Sequence, residues 1–186
     1  MINCLNHFLE LLLNEDVMSE YTQSELDDLI TCPKEIIEPP RRELRLEGNQ
    51  RRNDMRLRAQ DGDREFRVFM RMHNEFNENF SIGLVHAPRD GSGEVVLLCC
   101  NGPHGEYNAN FDPQHPHAEF HVHRASEEAI RAGFRPEKRA DRTEHFASFR
   151  EALSYFLREV NIVNAAMYFP DERQTRLSFE EQESSQ

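Results

Sequence analysis

The sequence predicts an α+β domain: a largely antiparallel sheet of about five to six strands, two N-terminal helices and a C-terminal helix packed on the sheet. Short runs between residues 42 and 100 alternate apolar with polar residues, which is the period of a half-buried strand. Gly, Asn and Asp clusters separate these runs, and the predicted helices lie before and after this region, including a short one after Ser126 that ends at Gly133. Runs of strands flanked by helices are typical of the α+β class.

Helices are expected before residue 40. Residues 3–13 place apolar side chains on one helical face, and Thr22 to Glu25 forms a capping box. Pro33, Pro39 and Pro40 end this segment, because proline removes an amide donor and clashes with the preceding turn. We therefore predict an acidic helical extension over 1–40, a core domain over 41–165 and a polar tail over 166–186.

The core has one strand for each alternating run, a last strand over Ala118 to His123, and a helix after the Ser148 to Glu151 capping box. The apolar strand positions are Leu44, Leu46, Met55, Leu57, Phe66, Val68, Met70, Met72, Phe80, Ile82 and Leu84, followed by the continuous run Val95 to Cys100. That six-residue run is the longest apolar stretch, far short of the roughly 20 residues that cross a bilayer. Four cysteines without metal spacing favour a reducing compartment, so we expect a cytoplasmic protein with no membrane partner.

Charge is distributed unevenly along the chain. The net charge is −12, yet residues 41–71 carry ten Arg and six acids, a local excess of +4. Arg56, Arg58, Arg67 and Arg71 occupy the polar positions of two predicted strands. Their planar guanidinium groups suit RNA phosphates, although arginine on a solvent-facing sheet can equally serve solubility.

The strand around His117 to His123 is the predicted functional centre. Residues 117, 119, 121 and 123 of a strand share one face, so its histidines should be displayed opposite an apolar face. Strand spacing puts His117 about 13 Å from His121, which excludes joint chelation by these two. The candidate set is therefore His121 and His123, with His104 reaching in from the preceding loop.

Three interpretations of these histidines stay open. They can be solvated or pin a loop. They can bind a divalent metal such as zinc through His104, His121 and His123. They can also catalyse RNA cleavage without a metal, with histidines as acid and base and Arg124 stabilising the phosphate charge.

A family resemblance favours the last interpretation. The stretch Leu98 to His104, the motif Phe120 to His123 and the C-terminal helix with Phe149 and Leu153 resemble a family of small prokaryotic proteins distantly related to TumE-type toxins of toxin–antitoxin systems. The resemblance implies a toxin-like or defence-associated protein that acts on RNA and is held by an antitoxin-like partner, and its matched residues are Asn101, His104, His121 and His123. We expect these four residues to be catalytic, with no cofactor in the metal-free interpretation. Phe120 and Arg124 depart from the family's proline and aromatic residue at these positions. A non-enzymatic, protein-binding regulator is the alternative, given the acidic N-terminal segment.

Overall fold

An eight-stranded sheet forms the frame of the protein, and all its ladders are antiparallel. The computed structural model describes residues 21–88, 93–104 and 116–170. The strands are β1 (Lys34–Glu38), β2 (Arg45–Glu47), β3 (Gln50–Ala59), β4 (Glu65–His73), β5 (Phe80–His86), β6 (Val95–Asn101), β7 (His121–Arg124) and β8 (Ala140–Arg142). Their order is β1-β3-β4-β5-β6-β7-β8, with β2 also paired to β3. The α+β prediction is confirmed, but the sheet has two strands more than the predicted upper number.

The described α-helices precede β1 or follow β7 along the chain. They are α1 (Gln23–Thr31), α2 (Glu127–Arg131), α3 (Phe149–Glu159) and α4 (Ala165–Tyr168), with a 3-10 helix at Pro116–Ala118. The predicted capping box is confirmed, because the Thr22 hydroxyl and the Glu25 carboxylate each accept from the other's backbone amide. The helix predicted over residues 3–13 lies outside the described residues. Within them, no helix is long and apolar enough to span a membrane.

The sequence predicted a helical segment over residues 1–40, but the part that follows Pro33 is a strand. After Pro33 the chain enters strand β1, which pairs with β3 through Ile36 and Leu57. Ile36 and the α1 residues Leu26 and Ile30 are buried in the same core as the sheet. Burial of the Ile36 side chain and the ladder with β3 therefore override the weak local pattern.

The outer edge of β1 is closed by the segment that follows α3. The Asn164 carboxamide accepts from the Ile36 amide at 2.9 Å and donates to the Ile36 carbonyl at 3.3 Å. Backbone bonds also join Lys34 to Asn161 and Val163. The segment that follows α3 thus occupies hydrogen-bonding positions that another strand would otherwise use.

The two faces of the sheet differ in what covers them. One face, called here the helix face, packs against α1 and α3 and holds the main apolar core. The other face, called here the histidine face, carries the strand residues whose side chains point away from that core. Strand pairing aligns Arg71, Ser81, Asn101 and His121 across it, one residue on each strand from β4 to β7.

A buried lysine of β1 donates hydrogen bonds to the C-terminal ends of α1 and α3. Lys34 is fully buried, and its ammonium donates to the carbonyls of Ile30, Cys32 and Val160 at 2.8, 2.9 and 3.3 Å. It also lies 4.8 Å from the centroid of the Phe66 ring. The last carbonyls of a helix have no partner within that helix, so Lys34 satisfies the ends of α1 and α3 together.

Candidate metal centre

His121 and His123 lie on the histidine face of β7, with Val122 between them on the helix face. Their cross-strand partners on β6 are Asn101 and Cys99. His121 has none of its surface exposed and His123 is half-buried. The alternation predicted for this pair agrees with the register, but the prediction that the histidines are displayed is wrong. They are covered, so their chemistry is that of a partly desolvated site.

His117 joins this pair, contrary to the prediction from strand spacing. The strand begins at His121 rather than at Ala118, and His117 lies in the 3-10 helix. Its ring stacks on that of His121 with centroids 4.8 Å apart, and lies 5.3 Å from that of His123. The predicted separation of about 13 Å required extended backbone, and the helical turn removes it.

His104 reaches the same place from the end of β6. Its backbone amide donates to the His117 carbonyl at 3.0 Å, which holds the two segments together. Its ring centroid lies 4.8 Å from that of His117 and 5.0 Å from that of His121. Four imidazoles, those of His104, His117, His121 and His123, therefore pack into one group that we call the histidine cluster.

Backbone carbonyls fix the orientation of two of these rings. The Nδ1 atom of His121 lies 2.8 Å from the Glu119 carbonyl, and that of His123 lies 2.9 Å from the Glu137 carbonyl. A carbonyl only accepts, so each Nδ1 carries the hydrogen and each Nε2 keeps a lone pair when the ring is neutral. Histidine ligands of metals usually have this arrangement, with the second ring nitrogen donating to a carbonyl or carboxylate.

Both rings are neutral at ordinary pH. Burial lowers the pKa of His121 to about 3, and the neighbouring histidines add to the shift. Burial also lowers the pKa of His123, against the opposing effect of the Glu137 carbonyl. A neutral imidazole can bind a metal or accept a proton, but it has no surplus proton to give to a leaving group.

Three histidines bring their nitrogens close enough for one ion. His117, His121 and His123 each offer a nitrogen, and these atoms all lie within 4.8 Å of one another. Zinc binds imidazole nitrogen at about 2.0–2.1 Å, so tetrahedral ligands lie about 3.4 Å apart and modest side-chain rotation would close the set. The sequence pointed to His104, His121 and His123 as ligands. The structure groups His117 with the pair instead and leaves His104 beside them.

Asn101 stands against the cluster at the end of β6. It is buried, and its Nδ2 lies 3.3 Å from His121 Nε2. Its Oδ1 is the one buried side-chain oxygen or nitrogen among the described residues that has no hydrogen-bond partner. The neighbouring Cys99 is buried too, which raises the pKa of its thiol to about 12 and keeps it protonated.

The predicted RNA-binding arginines divide between the two faces. Arg124 does not join the histidines. It lies two residues after Val122 on β7, so its side chain is on the helix face, where it pairs with Glu159 of α3 at 3.2 Å. Arg56, Arg58, Arg67 and Arg71 do lie on the histidine face, but each contacts a carboxylate. The pairs are Arg56–Glu38, Arg58–Glu65, Arg67–Glu94 and Arg71–Asp54, at 3.3, 3.1, 2.7 and 2.9 Å. A phosphate would have to compete with these acids.

Gly102 fixes the position of Asn101, and we expect Gly102→Ala to lower the free energy of unfolding by about 1–3 kcal/mol, the usual cost of overpacking. A Cβ at Gly102 would lie 1.7 Å from the Glu78 carbonyl oxygen, so the backbone would have to move. Gly83→Ala is the comparison, because its Cβ would meet two side chains, the Phe69 ring and the Cys99 sulfur, and no backbone atom, so it should cost less. Urea denaturation measures both. A Gly102→Ala midpoint equal to that of the wild type would contradict the packing described here.

Comparison with known proteins adds no relative. No protein-family model, curated protein or solved structure matches the chain. The resemblance to TumE-type toxins stays a prediction, and the site must be interpreted from its own geometry.

Proposed function

We propose that the protein binds one divalent transition-metal ion, with zinc the best fit, at His117, His121 and His123 and uses it for hydrolysis. The observation that carries the proposal is the approach of three imidazole nitrogens within 4.8 Å of one another. Imidazole suits zinc and its neighbours in the first transition row, whereas magnesium and calcium prefer oxygen ligands.

A metal held by three histidines would keep one coordination position for water, and this supports a catalytic role. Three protein ligands leave a fourth tetrahedral position for water, as in zinc hydrolases, and zinc lowers the pKa of that water to about 7. His104 lies beside the ligands, with its ring 5.0 Å from that of His121. This fourth imidazole is a base placed to accept a proton during attack on an ester or phosphodiester.

Metal content tests the first step of this proposal. Untagged protein is stripped with EDTA, dialysed against micromolar zinc and measured by elemental analysis. We expect about one zinc per chain for the wild type, and a loss of at least tenfold in zinc affinity for His121→Gln and His123→Gln. His145→Gln is the matched control, because His145 stacks on Tyr155 away from the cluster. Equal zinc content in all four proteins would refute the site.

A metal-independent ribonuclease is the second candidate, and the common face favours it. The histidine cluster and four arginines of β3 and β4 lie on the same face of the sheet, so an RNA strand could contact both. Against it, the depressed pKa values of His121 and His123 leave these two rings without a proton to donate near neutral pH. An antitoxin-like partner stays a prediction of the family resemblance.

RNA cleavage by the stripped and the zinc-loaded protein separates the two candidates. Cleavage that EDTA abolishes and zinc restores supports the metal-dependent enzyme. Cleavage that persists in EDTA and disappears in His121→Gln supports the metal-independent one. If zinc binds but RNA stays intact, the metal centre stands and RNA is not its substrate.

A further inference from the structure

The incomplete hydrogen bonding of Asn101 is the feature of the site that the three metal ligands leave unexplained. Asn101 is 7% exposed, and its Oδ1 has no partner among the described residues. Leaving a buried acceptor unsatisfied costs about 1–3 kcal/mol. A side chain that stays in this position next to a ligand set indicates that a hydrogen-bond donor belongs there.

The backbone gives Asn101 no way to turn from the cluster. It pairs with His121 across β6 and β7, which sets its side chain on the histidine face. Immediately after it, Gly102 packs against the Glu78 carbonyl and donates to the Phe80 carbonyl at 3.0 Å. The carboxamide is therefore held beside the cluster by the sheet itself.

The contact between Asn101 and His121 cannot survive metal binding in its present form. Nδ2 only donates, so its partner at 3.3 Å, His121 Nε2, must use a lone pair to accept. A metal would need the same lone pair, because Nδ1 of His121 carries a hydrogen that it donates to the Glu119 carbonyl. A metal bound at His121 Nε2 would therefore displace Nδ2 and free the carboxamide to turn Oδ1 toward the new occupant.

We propose that Asn101 Oδ1 accepts a hydrogen bond from the water in the fourth coordination position and orients it. The inference rests on the proposed metal centre. Asn101 is a positioning residue in this scheme, because it contacts the water and does not bind the metal. A hydroxyl or N–H group of a substrate that replaces the water can use the same acceptor.

Azide binding to the cobalt-loaded protein tests this inference without requiring a known substrate. Azide replaces the water but has no hydrogen to donate, so in the wild type it must give up the bond to Oδ1. In Asn101→Leu that bond is absent, and we expect azide to bind about fivefold more tightly, the equivalent of one net hydrogen bond. Asn101→Asp keeps an acceptor and adds a negative charge, so it should bind azide no more tightly than the wild type.

The matched control is Asn53→Leu. Asn53 is a buried asparagine of β3, and its carboxamide bonds to the backbone of Arg41 and Asp54. Its azide affinity should equal that of the wild type. Equal azide affinity for wild type and Asn101→Leu would overturn the inference, and so would loss of cobalt from Asn101→Leu. A wild-type protein that binds no cobalt would instead refute the metal centre, which keeps the two failures apart.

Discussion

Lys34→Met should lower the free energy of unfolding by about 1–3 kcal/mol, the cost of leaving a buried hydrogen-bond acceptor without its donor. Methionine fills a similar length but donates nothing, so the carbonyls of Ile30, Cys32 and Val160 lose a donor together. Because domains of this size are stable by only about 5–15 kcal/mol, the loss is a large share of the total. Urea denaturation followed by circular dichroism measures it.

The other lysine of the chain provides the control. Lys138 is exposed, and Lys138→Met should change the free energy of unfolding by no more than about 0.5 kcal/mol. If both variants unfold at the wild-type midpoint, Lys34 does not hold the ends of α1 and α3 as described.

Acid should destabilise the metal-free protein through His121. The pKa of His121 is lowered by burial to about 3 in the folded protein, whereas an unfolded histidine titrates near 6.5. Between these values the unfolded chain binds more protons, so stability is complete above pH 6.5 and falls as the pH decreases. From pH 7.5 to pH 5 the loss from this one group should be about 2 kcal/mol, and His123 adds to it in the same direction.

The comparison that isolates this effect is the slope of stability against pH in the presence of EDTA. His121→Gln removes the titrating group, so its free energy of unfolding should fall less steeply from pH 7.5 to pH 5, whatever its value at neutral pH. This window lies above the ordinary range of carboxylates, which limits their contribution. Parallel slopes for the two proteins would show that His121 is accessible to protons in the folded state.

The predictability of the fold differed between its elements for physical reasons. The β3 and β4 strands alternate apolar with polar residues because one face is packed and the other is not, so the pattern appears directly in the sequence. Strand β1 has only Ile36 and Ile37 as apolar residues, and β8 is Ala-Asp-Arg. Hydrogen bonds to a neighbouring strand stabilise such short edge strands, and this pairing produces no recognisable pattern in the strand's own sequence.

The site was predictable where it depends on strand alternation. Strand alternation was enough to group His121 with His123. The same alternation places Arg124 on the opposite face, and the prediction that Arg124 acts with the histidines overlooked this. His117 was excluded because the strand was assumed to extend back to Ala118. Pro116 was the available signal, since proline favours the first position of a helical turn. The burial of His121 depends on residues distant in sequence, and no local pattern reveals it.

The closure of β1 by Asn164 has a consequence for self-association. An open sheet edge is a template on which a second chain can extend the sheet and begin to aggregate. At Ile36 both backbone groups are already bonded to one carboxamide, which has no backbone beyond it to continue a ladder. Sheet extension at this position is therefore blocked by a single side chain, and the other end of the sheet, at the three-residue β8, offers too short a strand to nucleate a long one.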